Sequence, residues 1–198
     1  MSLTRNITAI FLLLLITSAN NAFAGSKYVI DGKNSIVNFS TIKKQYVIEP
    51  AVFDNVKGSI SSLGEVEIII DLSSVNTSVL IRDTRIQDLF FKIVKFPQAT
   101  IKAKIDMKKL KSISYYKQME IPAILNFYGT SKEIKLDVLI AKVYRKKLLI
   151  TSMKPIIINA NDYGIPAKNL IDLSQTVAGI SLSSKAAVNF VLSFKHNK

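Results

Sequence analysis

Val75-Asn76-Thr77, Arg82-Asp83, Asp88-Leu89-Phe90-Phe91 and Lys95-Phe96-Pro97 punctuate one stretch of the chain, residues 75–97. Segments of alternating apolar and polar residues lie on both sides of it. Its own apolar spacing is helical, with Ile86, Leu89, Phe90 and Ile93 at i, i+3, i+4 and i+7. A short amphipathic helix inside a chain of strands must lay its apolar face on something. In a barrel the surface that needs covering is an open end.

The flanking strands are read from period-two alternation. Val37 and Phe39 alternate with Asn38 and Ser40. Ile101, Ala103, Ile105 and Met107 oppose Lys102, Lys104, Asp106 and Lys108. Leu136, Val138 and Ile140 share a face, as do Val188, Phe190, Leu192 and Phe194. One apolar face and one lysine-rich face describe antiparallel strands with a buried and a wet side. Turn signals at Ser62-Leu63-Gly64 and Gly129-Thr130 separate them. The expectation is an all-β chain, an antiparallel barrel of about eight strands with a short helical lid between strands. Such a barrel is wide enough to hold one small ligand or to be filled by its own side chains. Alternation alone leaves both open. Ile68-Ile69-Ile70, Leu148-Leu149-Ile150 and Ile156-Ile157-Ile158 are apolar on both faces, so they are strand ends under loops or the face of a homodimer.

The inward face should carry Phe39, Phe53, Ile101, Ile105, Leu125, Phe127, Leu136, Val138, Phe190 and Leu192, none of them charged. Leu89, Phe90, Phe91 and Phe96 are the aromatic and aliphatic residues of the lid segment. Arg82 and Asp83 are its polar candidates. They either meet a ligand headgroup at the mouth or pin the helix, with Asp83 at its start and Arg85 paired to Asp88.

The order of these motifs resembles the YceI-like family of lipocalin-like, polyisoprenoid-binding periplasmic proteins. The matching marks are Asn76-Thr77, Arg82-Asp83, an acid before Phe90-Phe91, and Phe96-Pro97 entering a strand. Phe53 with Gly58, Gly129-Thr130-Ser131-Lys132, and Asp162-Tyr163-Gly164 agree in order, over essentially all of the chain after Gly25. The resemblance implies an apolar tunnel that holds a long isoprenoid tail. Two places depart from the family: Lys43-Lys44-Gln45 stands where many members have a histidine, and Ala160 where many have an arginine. A headgroup contact from either position is therefore in question, and a fatty acid or amide becomes an alternative to a quinone or polyprenyl lipid.

Composition narrows the function further. The start has a weakly basic Arg5, an apolar run Ala9–Ile16 and the small-x-small site Ala22-Phe23-Ala24, the layout of a secretory signal. Residues 1–24 are thus expected to be removed, leaving 25–198 as one exported domain, periplasmic or secreted. The 27 lysines and arginines exceed the 14 acids, and losing Arg5 leaves +12. The lysines are spread along the chain and serve either as a solvated barrel exterior or as attraction to anionic headgroups or acidic partners. No recognition helix suggests nucleic acid. With no cysteine and one histidine, His196, near the C-terminus, neither a Ser-His-Asp nor a Cys-His arrangement is expected. No metal-ligand spacing or phosphate-cradling glycine loop is present in the sequence. The expectation is a binding protein with no catalytic residues, no metal and no cofactor beyond a bound lipid. A ligand-free envelope protein that uses its basic surface is the rival.

Overall fold

In the computed structural model, residues 25–144 and 146–197 are described. The expected signal segment, 1–24, lies outside them. Twelve strands are found among these residues, all paired antiparallel. They are β1 (Ser26–Ile30), β2 (Ile36–Lys43), β3 (Val47–Phe53), β4 (Val56–Ser61), β5 (Glu65–Asp71), β6 (Val75–Asn76), β7 (Gln98–Lys104), β8 (Tyr116–Phe127), β9 (Thr130–Val143), β10 (Lys147–Ser152), β11 (Ile156–Asn159) and β12 (Leu182–His196).

Eight of these form a closed ring in the order β1-β4-β5-β7-β8-β9-β10-β12, with β12 returning to β1. The last strand does the closing because it is long. Its C-terminal half lies between β10 and β1, and its N-terminal half between β11 and β2. Strands β2, β3 and β6 continue the wall beyond the ring. Closure leaves the ring no free edge. His196 is therefore no frayed tail: it ends β12 opposite Tyr28, and the two rings meet edge-on at 5.3 Å.

Several boundaries differ from the sequence expectation, each for a local reason. Strand β7 stops at Lys104, so Met107 does not continue it. Asp106 accepts hydrogen bonds from the amides of Lys108 and Lys109 and starts α2 (Met107–Lys111), as an Asp N-cap does. Gly64 holds φ +86°, and a Cβ there would sit 1.9 Å from the Ile105 carbonyl oxygen; the close approach lets the Ile105 amide bond Gly64 O at 2.8 Å. The hairpin turn is Tyr128-Gly129, both at positive φ, so β9 begins at Thr130 and not after Lys132. A third helix, α3 (Ala167–Gln175), follows Pro166, where no helix was expected.

The expected helix is present but starts earlier. It runs as α1 (Leu80–Arg85) and then widens into a π-helical turn, Ile86–Phe91, ending at Lys92 in the left-handed region. Ion pairs dress the outer wall, Lys102 with Glu67 and Lys135 with Glu120. Among the apolar-on-both-faces runs, Ile69 and Leu149 are half-buried while Ile157 is exposed on the outer wall.

Candidate functional site

Inward-facing residues of the ring do not meet at the centre. They enclose a cavity of about 190 Å³, and its lining is apolar apart from Thr41, Ser183, Ser184 and Lys185. Twelve of the sequence-expected residues line it: Phe39, Phe53, Phe90, Phe91, Ile101, Ile105, Leu125, Phe127, Leu136, Val138, Phe190 and Leu192. Alternation delivers those that lie on strands, since every second side chain of a strand shares a face; Phe90 and Phe91 come from the π-helical turn and Ile105 from just beyond the end of β7. In the connection from β7 to β8, at the other end of these strands from the lid, α2 buries Leu110 with Ile113 in the same core.

Leu89 and Phe96 stand outside this lining, a correction to the sequence reading. In the π-helical turn, residues four and five positions beyond Ile86 share its face, and these are Phe90 and Phe91; Leu89 rotates away. Phe96 instead stacks on Tyr128 with centroids 4.0 Å apart, under the Lys95 ammonium. The mouth aromatics form a chain. Phe39 stacks on Phe53 at 5.1 Å, Phe53 meets Phe91 at 6.0 Å, and Phe91 meets Phe127 at 6.0 Å. Phe127 in turn touches the buried Tyr163, whose hydroxyl pKa is pushed up by burial and then by Asp162.

Beyond these aromatics lies a second cavity of about 310 Å³, between α1, the π-helical turn, α3 and the ends of β2, β3 and β12. Phe39, Thr41, Phe90, Phe91 and Ser183 line both spaces. They form a thin partition between an apolar tunnel and a vestibule with charged groups. The vestibule holds Lys43, Glu49, Arg82 and Arg85. Glu49 is bridged by Lys43 and accepts a 2.8 Å bond from Arg82. Its carboxyl pKa is held below the usual range, first by Lys43 and then by Arg82.

Arg82 and Asp83 have separate tasks. Asp83 is buried and accepts from the Thr77 amide at 2.8 Å and hydroxyl at 2.5 Å, fixing the entry into α1. Asn76 makes the preceding turn, accepting from the Ser78 amide while donating to Asp54. Arg82 ties α1 to β3 and lines the vestibule at once. Arg85 does not pair with Asp88; its guanidinium donates to the Thr176 carbonyl after α3, at 3.1 Å.

Sequence reading missed the group that joins the two covering elements. Asn169 on α3 is buried and donates to the Phe90 carbonyl at 3.0 Å and to the Tyr128 hydroxyl at 3.1 Å. It satisfies a carbonyl that the end of the π-helical turn leaves without a helical partner. Pro166 with Leu170 and Leu173 was the available signal for α3. Ala160 lines the tunnel and Lys43 the vestibule, so both departures from the family pattern fall on cavity walls. Among the described residues no cluster of His, Cys, Asp and Glu could hold a metal ion, and no helix is long and apolar enough to cross a membrane.

A family model described as a YceI-like domain matches residues 28–194. The chain belongs to the YceI-like family. Among solved structures it is similar to a polyisoprenoid binding domain from Saccharophagus degradans implicated in plant cell wall breakdown. The two share 26% identity and a TM-score of 0.82, over 87% of this chain and 99% of that one. BcnA of Burkholderia cenocepacia is 13% identical with a TM-score of 0.63, over 83% of this chain and 98% of that one, a likeness of fold alone. No curated protein matches. The YceI-like barrel is thus shared.

Proposed function

We propose that this YceI-like protein is an exported, periplasmic or secreted carrier that holds an amphiphilic lipid with its tail in the barrel. An isoprenoid, a quinone or polyprenyl lipid, is the first choice of ligand, and a fatty acid or amide the second. The observation that carries the reading is the apolar cavity of about 190 Å³ in the barrel, separated only by a few side chains from a largely apolar vestibule that adds the charged groups of Lys43, Glu49, Arg82 and Arg85. An apolar cavity of about 150 Å³ already stays dry and takes up small hydrocarbons. Filling such a space with a tail gains about 25 cal/mol for each Å² of apolar surface removed from water. The similar polyisoprenoid binding domain supports the choice of ligand class.

Binding and release suffice for carriage, so no chemical step is assigned. The tail would enter between Phe39 and Phe90–Phe91, and the headgroup would remain in the vestibule near Arg82 and Arg85. Glu49 is already bridged to Arg82, which leaves that cation less free to hold an anionic headgroup and favours a neutral, hydrogen-bonding one.

The test is uptake by delipidated protein of an isoprenoid quinone, a polyprenyl phosphate and a fatty acid, each offered separately from detergent. Saturable one-to-one binding, with the quinone displacing the fatty acid, is expected. No saturable uptake of any of the three would end the carrier reading.

A further inference from the structure

The exterior carries many lysines and several exposed apolar side chains, Tyr115 and Tyr116 after α2 among them, and the rim of the vestibule gathers another group of these beside an opening. Val79, Leu80 and Ile81 are consecutive and exposed at the start of α1, Leu80 at 83% and Ile81 at 58%. Three exposed apolar residues in a row are a fault in a soluble surface unless they serve a contact. Val79 also occupies the N-cap of α1 with no side-chain capping bond, where Ser, Thr, Asp or Asn would stabilise the helix. Across the mouth, the β2–β3 hairpin exposes Tyr46 in its turn at 79% and Ile48 on β3 at 67%, with Ile42 directly opposite Ile48 on the same outer face. On the third side, Val177 lines the vestibule and is exposed.

The three sides are held in one frame. Lys44 donates its amide to the Ser181 carbonyl at 2.9 Å, joining the turn to the segment before β12. Arg82 joins α1 to Glu49 on β3. Cations are interleaved with the apolar rim. Lys44 beside Tyr46, and Lys185 at the tunnel's mouth end, make no ion pair among the described residues. Glu49 is already matched by Lys43 and Arg82, and Asp83 is turned inward onto Thr77.

We infer that this rim is a membrane-docking face: Leu80, Ile81, Tyr46 and Ile48 dip into the interface of an anionic phospholipid bilayer while Lys44 and Lys185 meet its headgroups. The inference rests on the lipid-carrier reading for its purpose and adds the orientation of the carrier. The vestibule would face the bilayer, so a tail passes between membrane and tunnel without crossing water. Interfacial binding of this kind combines inserted apolar area with attraction to anionic lipids. The charge of the chain after residue 24, +12, has the sign such a surface requires.

The full mature chain is sedimented with vesicles of phosphatidylglycerol and phosphatidylcholine, beside two variants. One carries Tyr46→Ser, Ile48→Ser and Leu80→Ser, three residues that line neither cavity. The other carries Lys108→Ser, Lys109→Ser and Lys111→Ser on α2 at the opposite end. The rim variant should lose about tenfold or more in vesicle partitioning, and the α2 variant should stay within about twofold of the parent. Uptake of lipid from detergent should be equal in all three, which separates docking from binding. Absence of vesicle binding by the parent, or an equal loss in both variants, would overturn docking while leaving lipid uptake to stand or fall on its own. A concentration-dependent dimer abolished by the rim substitutions would overturn it too, by assigning the face to a second copy.

Discussion

Ala103 offers a direct probe of whether the barrel interior is space or filling. It lies on β7 between Ile101 and Ile105 and lines the cavity of about 190 Å³ with them. Ala103→Leu adds three carbons on the inward face. If they enter empty apolar space, burial contributes about 0.8 kcal/mol per carbon, or roughly 2 kcal/mol. Loss of rotamer freedom removes about 0.5–1 kcal/mol of that. The delipidated variant should then be more stable by about 1–1.5 kcal/mol, a rise in Tm of roughly 2–6 °C for a chain of this size. If the interior were already filled, the same substitution would overpack it and cost about 1–3 kcal/mol. The sign of the change is therefore decisive. The ligand should respond in the opposite sense, because the new side chain takes space from the tail: about 2 kcal/mol of lost burial weakens binding roughly thirtyfold. Thermal unfolding of the delipidated protein and titration with an isoprenoid quinone measure the two quantities. A fall in Tm of several degrees, with unchanged affinity, would refute the reasoning.

Other expectations follow from single contacts. Asn169→Ala removes both bonds that tie α3 to the π-helical turn and should cost about 1–3 kcal/mol in denaturant unfolding, with faster ligand release in stopped-flow. Phe90→Ala opens the partition between the tunnel and the vestibule, so dissociation of a bound tail should speed up at least severalfold while thermal stability falls by about 3–5 kcal/mol or less, the side chain being only partly buried. Asp31 is buried, bonded by Lys195 at 2.8 Å and Asn34 at 2.9 Å, and its pKa is lowered chiefly by the Lys195 bond. A lowered folded-state pKa gives stability that is present above the ordinary carboxylate range, near pH 4, and is lost as pH falls below it. Asp31→Asn should accordingly reduce stability at neutral pH and flatten the acid limb of a Tm-against-pH curve; an unaltered acid limb would remove Asp31 from that role.

The barrel was legible wherever a strand has one buried and one wet face. Leu136-Val138-Ile140 and Phe190-Leu192-Phe194 announce their inward faces by alternation, and all but Ile140 of these line the tunnel. The first half of β12, Ser183-Ser184-Lys185-Ala186, carries little strand propensity. Lys185 and Ala186 pair with β11 and Ala186 with β2, while the register to β2 shifts between Leu182 and Ala186; neighbours hold the segment in place, and so its position at the tunnel mouth was missed. Pro122 sits inside β8 without ending it: the ladder to β7 ends at Ala123, so a residue with no amide proton is tolerated there. The lid shows how a one-residue change of helical period moves a site. An α-helical reading pairs Leu89 with Phe90, whereas the π-helical turn pairs Phe90 with Phe91 and sends Leu89 away. Arg82 and Asp83 were read as either headgroup contact or pin; Asp83 is a pin, and Arg82 is a pin that also lines the vestibule. What the sequence could not supply was the second cover, α3, because it is short and the side chain of the buried Asn169 that locks it bonds to residues far away in sequence.

The central claim is that the cavity is a lipid site, and native mass spectrometry of the protein purified without detergent tests it most directly. An adduct with the mass of a single long-tailed amphiphile is expected, removed by organic extraction and identifiable as a quinone, a polyprenyl lipid or a fatty derivative. A bare chain that also refuses all of these ligands when they are offered in excess would contradict it.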